Sequence, residues 1–144
     1  MMLYIKTNYV IFKIVSFLKK LNGIKIMKNL FLIGTGGLFK EHYSYLLDYM
    51  EKNSNNINLK GIIDIKNSNR IDKFSKLKIY KEKKIKNSKD VFLLLCLGDI
   101  EKRKKIINKF KNFQFFTLIH PSSYISPKAK IGNGCVISPG VIIA

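Results

Sequence analysis

From Met27 onward the chain alternates short, wholly apolar runs with stretches whose apolar residues recur at helical spacing. Leu30 to Ile33 is continuously apolar and ends in Gly34, the pattern of a strand buried on both faces. Leu38, Phe39, Tyr43, Leu46, Leu47 and Met50 then line one helical face, which predicts a helix from Phe39 to Lys52. A polar loop at Asn53 to Asn58 leads to a second strand, Leu59 to Ile65. Lys78 to Tyr80 reads as a short strand and Val91 to Leu97 as a strongly apolar one. Ile100, Ile106, Ile107 and Phe110 predict a second helix, and Phe115 to Ile119 a strand that closes the sheet. Lys66 to Lys89 is lysine-rich and weakly patterned, which marks it as mostly surface. Strands alternating with helices specify an α/β fold, here a small Rossmann-like domain with a parallel sheet over residues 27 to 119.

At His120-Pro121-Ser122-Ser123 the period changes. Ile125, Ile131, Ile137 and Ile143 are spaced by six, and the small or β-branched Ala129, Cys135 and Val141 follow the first three by four. Pro127, Gly132, Gly134, Pro139 and Gly140 occupy the positions between. A six-residue repeat of this kind is the mark of a parallel β-helix, in which each hexapeptide supplies one short strand and one corner of a triangular prism. Ile125 to Ile142 holds three hexapeptides, enough for one coil, so residues 120 to 144 predict the start of a left-handed β-helix. An irregular strand-and-turn segment is the plainer alternative.

The chain has 144 residues and a net charge of +18. Such charge invites a nucleic-acid reading, because a basic surface gains affinity by releasing phosphate counterions. Only Arg70 and Arg103 among the 27 basic residues are arginine, however, and the lysines are spread along the whole chain without a recognition motif. Compositional drift towards Lys, Ile and Asn accounts for the charge, and no specific nucleic acid is expected. Residues 1 to 26 fit poorly with the remainder of the chain. Their apolar run, Tyr9 to Leu18, is broken by Lys13, too short to span a bilayer and without a cleavage site. They read as an extension upstream of Met27, or as an amphipathic helix on a membrane surface. Cys96 and Cys135 lie in apolar runs, far apart and in no metal-like spacing, which fits reduced thiols in a cytoplasmic protein. His42 and His120 lack the Cys or carboxylate neighbours of a metal site, so no metal is expected.

The candidate chemistry lies at the strand ends. Gly34-Thr35-Gly36-Gly37 joins the first strand to the first helix, where glycine lets backbone amides approach a ligand and the helix N-terminus favours an anion. Phe39 stands where the dinucleotide fingerprint Gly-x-Gly-x-x-Gly has its last glycine. Asp64 ends the second strand, where open α/β folds place a carboxylate for a ribose or base. Gly98-Asp99 follows the apolar strand, so all three segments point to one crevice beyond the strand C-termini.

Taken in order, Ile33-Gly34-Thr35-Gly36-Gly37-Leu38-Phe39-Lys40, Gly61-Ile62-Ile63-Asp64, Leu97-Gly98-Asp99 with Arg103, and Leu118-Ile119-His120-Pro121-Ser122-Ser123 with the hexapeptides resemble one family. This is the family of bacterial sugar acyltransferases that includes sialic-acid O-acetyltransferases and bacillosamine N-acetyltransferases. The resemblance implies an N-terminal domain for a nucleotide-linked amino sugar and a β-helix that binds acetyl-CoA between subunits of a homotrimer. Carried over by position, Gly36, Gly37 and Leu38 would line the nucleotide-sugar loop, with Asp64 and Ile65 beside it and Gly98 and Asp99 closing it. Gly34 and Thr35 of the same loop complete the candidate substrate-binding set. Arg103 matches a family position that is structural as readily as ligand-binding. Leu38 departs from the family's usual histidine. The family's catalytic histidine belongs to a later coil than any in this chain, so no catalytic residue is assigned. His120 matches the interdomain His-Pro-Ser segment, and hydrogen bonding at the domain junction is its expected role.

The resemblance therefore implies acetyl transfer from acetyl-CoA to a UDP-linked or related amino sugar, or to sialic acid, in surface-glycan synthesis. Because the repeats stop early, a fragment that keeps the sugar-nucleotide part and lacks turnover is expected. A non-catalytic nucleotide or dinucleotide-binding module is the main rival, and a basic nucleic-acid or membrane-surface protein a second.

Overall fold

The structure, a computed structural model, describes residues 27–53, 56–64 and 71–144. The expected extension at residues 1–26 and the candidate residue Ile65 lie outside the described residues. Strands β1 (Lys28–Ile33), β2 (Ile57–Ile63), β3 (Ile79–Tyr80), β4 (Val91–Leu95) and β5 (Gln114–Phe115) form one sheet in the order β3-β2-β1-β4-β5. Every pairing in it is parallel.

Helix α1 (Gly37–Lys52) connects β1 to β2, and α2 (Ile100–Lys109) connects β4 to β5. No β-branched residue interrupts α1, and its Leu, Lys, Glu and Met residues lose little rotamer freedom in a helix. It ends where Asn53 donates both its backbone N–H and its side-chain amide to the Tyr49 carbonyl, at 2.9 and 3.1 Å. Asp99 caps α2 by accepting from the Lys102 N–H at 2.9 Å.

Because successive strand residues point to opposite faces, β1 divides its side chains between two cores. Leu30 and Leu32 join Ile62, Leu94 and Cys96 beneath Phe39 and Leu46 of α1. Phe31 and Ile33 join Ile63, Leu93 and Leu95 against Ile106 and Phe110 of α2. This double layer explains the unbroken apolar runs: neither face of the central strands meets water. The helical stripes are narrower than the sequence suggests. Leu47, Ile100 and Ile107 are exposed, and the buried stripe of α1 is Phe39, His42 and Leu46.

β1 and β2 slip register between Leu30 and Phe31, which leaves Lys60 as an extra residue opposite them. The adjoining Gly61 has φ +151, and a Cβ there would lie 2.5 Å from the Lys78 carbonyl oxygen.

Phe115 to Ile119 does not form one closing strand. Only Gln114–Phe115 pairs with β4. Beyond Phe116 the chain leaves the sheet, and β6 (Leu118–Ile119) pairs in parallel with β8 (Val136–Ile137) while Leu118 still packs in the core under α1. β7 (Tyr124–Ile125) likewise pairs in parallel with β9 (Ile142–Ile143). Both pairs join residues 18 apart in sequence. Turns at 121–122, 127–128, 133–134 and 139–140 recur every six residues. The turn at 133–134 is tied by Thr117, whose hydroxyl donates to the Gly132 carbonyl at 3.0 Å and accepts from the Gly134 N–H at 2.9 Å. The stacked repeat thus begins at Leu118–Ile119, one hexapeptide before Ile125.

Candidate functional site

From β1 the chain winds outward through β2 to β3, then returns to the other side of β1 as β4. The connections at the carboxyl ends of β1 and β4 therefore diverge, and open α/β folds have their ligand crevice at such a point. Gly34 donates its N–H to the Ile63 carbonyl at 3.2 Å, and Cys96 donates to the Ile33 carbonyl at 2.9 Å, so the two exits are fixed against each other. Gly34 has φ +106, and a Cβ on it would meet Leu97 Cδ2 at 2.7 Å and the Cys96 carbonyl oxygen at 2.9 Å. Glycine is required there by the fold itself.

Gly36, Gly37 and Gly98 differ from Gly34, for a Cβ on any of them would find nothing within 4 Å. Their open side is free for another molecule. Gly36 is the N-cap of α1, makes no side-chain cap bond, and no acidic residue stands in the first turn. The first-turn N–H groups and the helix dipole thus present partial positive charge to an incoming anion.

Thr35 and Asp64, from different strand ends, are joined by a hydrogen bond from Thr35 Oγ1 to Asp64 Oδ2 at 2.9 Å. The Asp64 N–H also donates to the Tyr80 carbonyl at 3.3 Å, which anchors the end of β2 on β3. Leu38 is half-buried in the first turn of α1. Gly34, Thr35, Gly36, Gly37, Leu38, Asp64 and Gly98 accordingly belong to one rim. Asp99 caps α2: its carboxylate accepts from the Lys102 N–H, a bond that holds it below the usual carboxylate range.

Sequence reasoning passed over His42, which lies under this rim. It is buried, and its Nδ1 donates to the Leu95 carbonyl at 3.1 Å, tying α1 to the end of β4. A usable signal existed, since His42 is three residues after Phe39 and four before Leu46 on the buried stripe. Burial, helped by the nearby Arg103 charge, lowers its pKa, although the Leu95 bond and Glu41 oppose the shift. The fold therefore favours neutral imidazole. Its contribution to stability is complete above the ordinary histidine pKa of about 6.5 and is lost as pH falls below that value. His42→Asn keeps a donor for the Leu95 carbonyl without titrating. Melting temperature followed from pH 8 to pH 5 is expected to fall more steeply for the parent chain than for this variant. Arg103 reaches the same region, and its charge acts also on Cys96, whose thiol burial pushes up to about 12. A thiol so placed stays protonated and inert.

His120 stands apart from the crevice, against Tyr45 and Asp48 of α1. Asp48 is about 16 Å along the helix axis from Gly37 at the usual rise per residue. Among the described residues no three His, Cys, Asp or Glu side chains are grouped to hold a metal ion. No helix among them is long and apolar enough to cross a membrane.

No protein-family model and no curated protein matches the sequence. Solved structures do match. PerB from Caulobacter crescentus, in complex with CoA and GDP-perosamine, has a TM-score of 0.60 at 20% identity, over 81% of this chain and 54% of its own. The acetyltransferase domain of PglB from Neisseria gonorrhoeae has a TM-score of 0.62 at 21% identity, over 78% of this chain and 54% of its own. The same domain with acetyl coenzyme A bound gives 0.60 at 20%, over 81% of this chain and 61% of its own. The chain has the fold of these acetyltransferases and spans about half the length of PerB. At the level of fold, the resemblance read from the sequence is borne out.

Proposed function

We propose that this chain holds a nucleotide-linked amino sugar for acetylation by acetyl-CoA. The observation that carries the reading is the rim: an open glycine loop at a helix N-terminus, the Thr35–Asp64 pair and Gly98, all at the switch point of a sheet shared with nucleotide-sugar acetyltransferases. The first turn of α1 takes the diphosphate, whose charge matches its free N–H groups. A carboxylate has about four lone-pair sites, so Asp64 can accept from a ribose hydroxyl or a base N–H as well as from Thr35. Ile65 and Asp99 flank this site in the family pattern.

Residues 118 to 144 are, on this reading, the first coil of a left-handed β-helix, supported by the 18-residue offset of both strand pairs. Tyr124 and Ile142 are cross-strand neighbours, 58% and 75% exposed, and give its outer face an apolar patch suited to packing in a homotrimer. Acetyl-CoA binds to the coils. The amine of the sugar, or a hydroxyl, attacks the thioester carbonyl as a base takes its proton and backbone donors hold the oxyanion. No residue of this chain is assigned to that step. The free thiols Cys96 and Cys135 suit a cytoplasmic site of action, in the synthesis of surface glycans.

UDP- and GDP-linked amino sugars and NAD, each added to the purified chain in a thermal-shift titration, test the reading. A ligand at a hundred times its Kd stabilises by about 2.7 kcal/mol. Asp64→Ala is expected to weaken binding by about tenfold, the scale of a lost hydrogen bond to a charged group. Stabilisation by NAD alone would establish the dinucleotide-binding module instead, and no response to any of the three would remove the ligand assignment.

A further inference from the structure

His120 links two parts of the molecule that share no sheet. Its ring is buried, with Nε2 2.9 Å from Asp48 Oδ2 on α1 and Nδ1 2.8 Å from Ser122 Oγ. The Ser122 N–H also donates to Nδ1, at 3.1 Å. An N–H can donate only to a lone pair, so Nδ1 is bare and the ring hydrogen sits on Nε2, from which it donates to the Asp48 carboxylate. The Ser122 hydroxyl passes the connection on, for Oγ accepts from the Gly140 N–H at 3.2 Å. The Tyr45 ring closes one side of the imidazole, edge to face with centroids 5.7 Å apart. His120 is also built into the stack by its backbone, donating to the Ile137 carbonyl at 3.0 Å.

We propose that Asp48, His120, Ser122 and Gly140 form a strut by which α1 sets the position of the stacked repeat, with His120 as its positioning residue. α1 begins at the glycine loop and carries Asp48 near its far end, so one rigid helix bears both the crevice and the strut. The strut stands on geometry alone. Its consequence, that it fixes acetyl donor against acceptor, rests on the proposed function.

The chain without ligand suffices for the test. A long-range proton–nitrogen spectrum of the imidazoles is expected to show His120 as the Nε2–H tautomer; Nδ1–H would overturn the proposal. Asp48→Ala is expected to speed amide exchange at Ser122 and Gly140 by about tenfold, the scale of one lost hydrogen bond, and to leave Leu32 and Leu94 unchanged. Asp48→Asn offers the Nε2–H a carbonyl acceptor and is expected to restore slow exchange. In a His120→Asn background, which keeps an acceptor for the Ser122 N–H and cannot reach Asp48, Asp48→Ala is expected to add nothing. Unchanged exchange at Gly140 in Asp48→Ala, or failure of Asp48→Asn to restore it, would overturn the strut. Should Asp48→Ala loosen the core amides too, Ser122→Ala decides: Gly140 alone must speed. Nucleotide-sugar binding, measured separately, is expected to be unaffected by Asp48→Ala, so absence of binding and absence of a strut are told apart.

Discussion

Gly36→Val is expected to abolish nucleotide-sugar binding while the protein stays folded. Gly36 has φ −81 and ψ −163, an extended conformation open to any residue. A side chain on it meets no protein atom, only the space in which a phosphate would approach the helix N-terminus. The stability cost is about 1 kcal/mol, the loss of a favourable N-cap residue. Gly34→Val, two residues earlier, is the counterpart. There φ is +106, and the new carbon would be driven into Leu97 and the Cys96 carbonyl. Strain of about 1–2 kcal/mol in the left-handed region, with about 1–3 kcal/mol for overpacking, puts its cost near 3 kcal/mol or more. Chemical denaturation and ligand titration of both variants check the contrast. Equal destabilisation by the two would mean that the loop is structural throughout and the crevice unused.

Phe39→Ala carries the other large effect, on stability. Phe39 stands where a dinucleotide-binding loop has its third glycine, which in that motif lets helix and strand pack closely. Here the position is filled by a ring 1% exposed, stacked on Tyr43 with centroids 5.7 Å apart and enclosed by the core beneath α1. Truncation removes the ring and leaves a cavity, at about 3–5 kcal/mol. That is a large share of the roughly 5–15 kcal/mol by which a domain is stable. A urea midpoint lowered with an unchanged slope is the expected outcome. Phe39→Gly, which restores the fingerprint glycine, is expected to be worse still, because glycine adds backbone freedom in a helix. A neutral result for Phe39→Gly would show that α1 can close onto the sheet as it does in dinucleotide-binding folds.

The apolar runs made the sheet legible because strands covered on both faces need no polar alternation. Leu30 to Ile33 and Val91 to Leu95 could be placed to within a residue or two for that reason. The glycine loop and Asp64 were legible as neighbours, since both stand at the carboxyl ends of adjacent strands. Their joining through Thr35 was not, because a hydrogen bond between residues 29 apart depends on how the strands align. Leu118 and Ile119 differ from the sequence expectation for a related cause. Two apolar residues after Phe115 and Phe116 look like more of the same strand, and only the partners Val136 and Ile137 show that the chain has turned away. The place of His42 on the buried stripe is legible in the sequence, but its bond is not, because a backbone carbonyl partner carries no mark there. Asp99 carries a second role that its place after a strand does not announce, for its carboxylate caps the following helix.

The pairing of residues 18 apart bears on how this protein can vary in length. Loops of the α/β half, such as the connection at residues 81–90 between β3 and β4, can gain or lose a residue with small entropic cost, since neither neighbouring strand has its register set by the loop. Between Ile119 and Ile137 no such slack exists. Deleting one residue there would bring Ser138 opposite Ile119 and turn the side chains that follow to the opposite face, because side chains alternate along a strand. Natural variants of this protein should therefore concentrate their insertions and deletions before Phe116. After it, changes of whole hexapeptide triplets or bulges confined to the corner turns are the only ones the stacking permits.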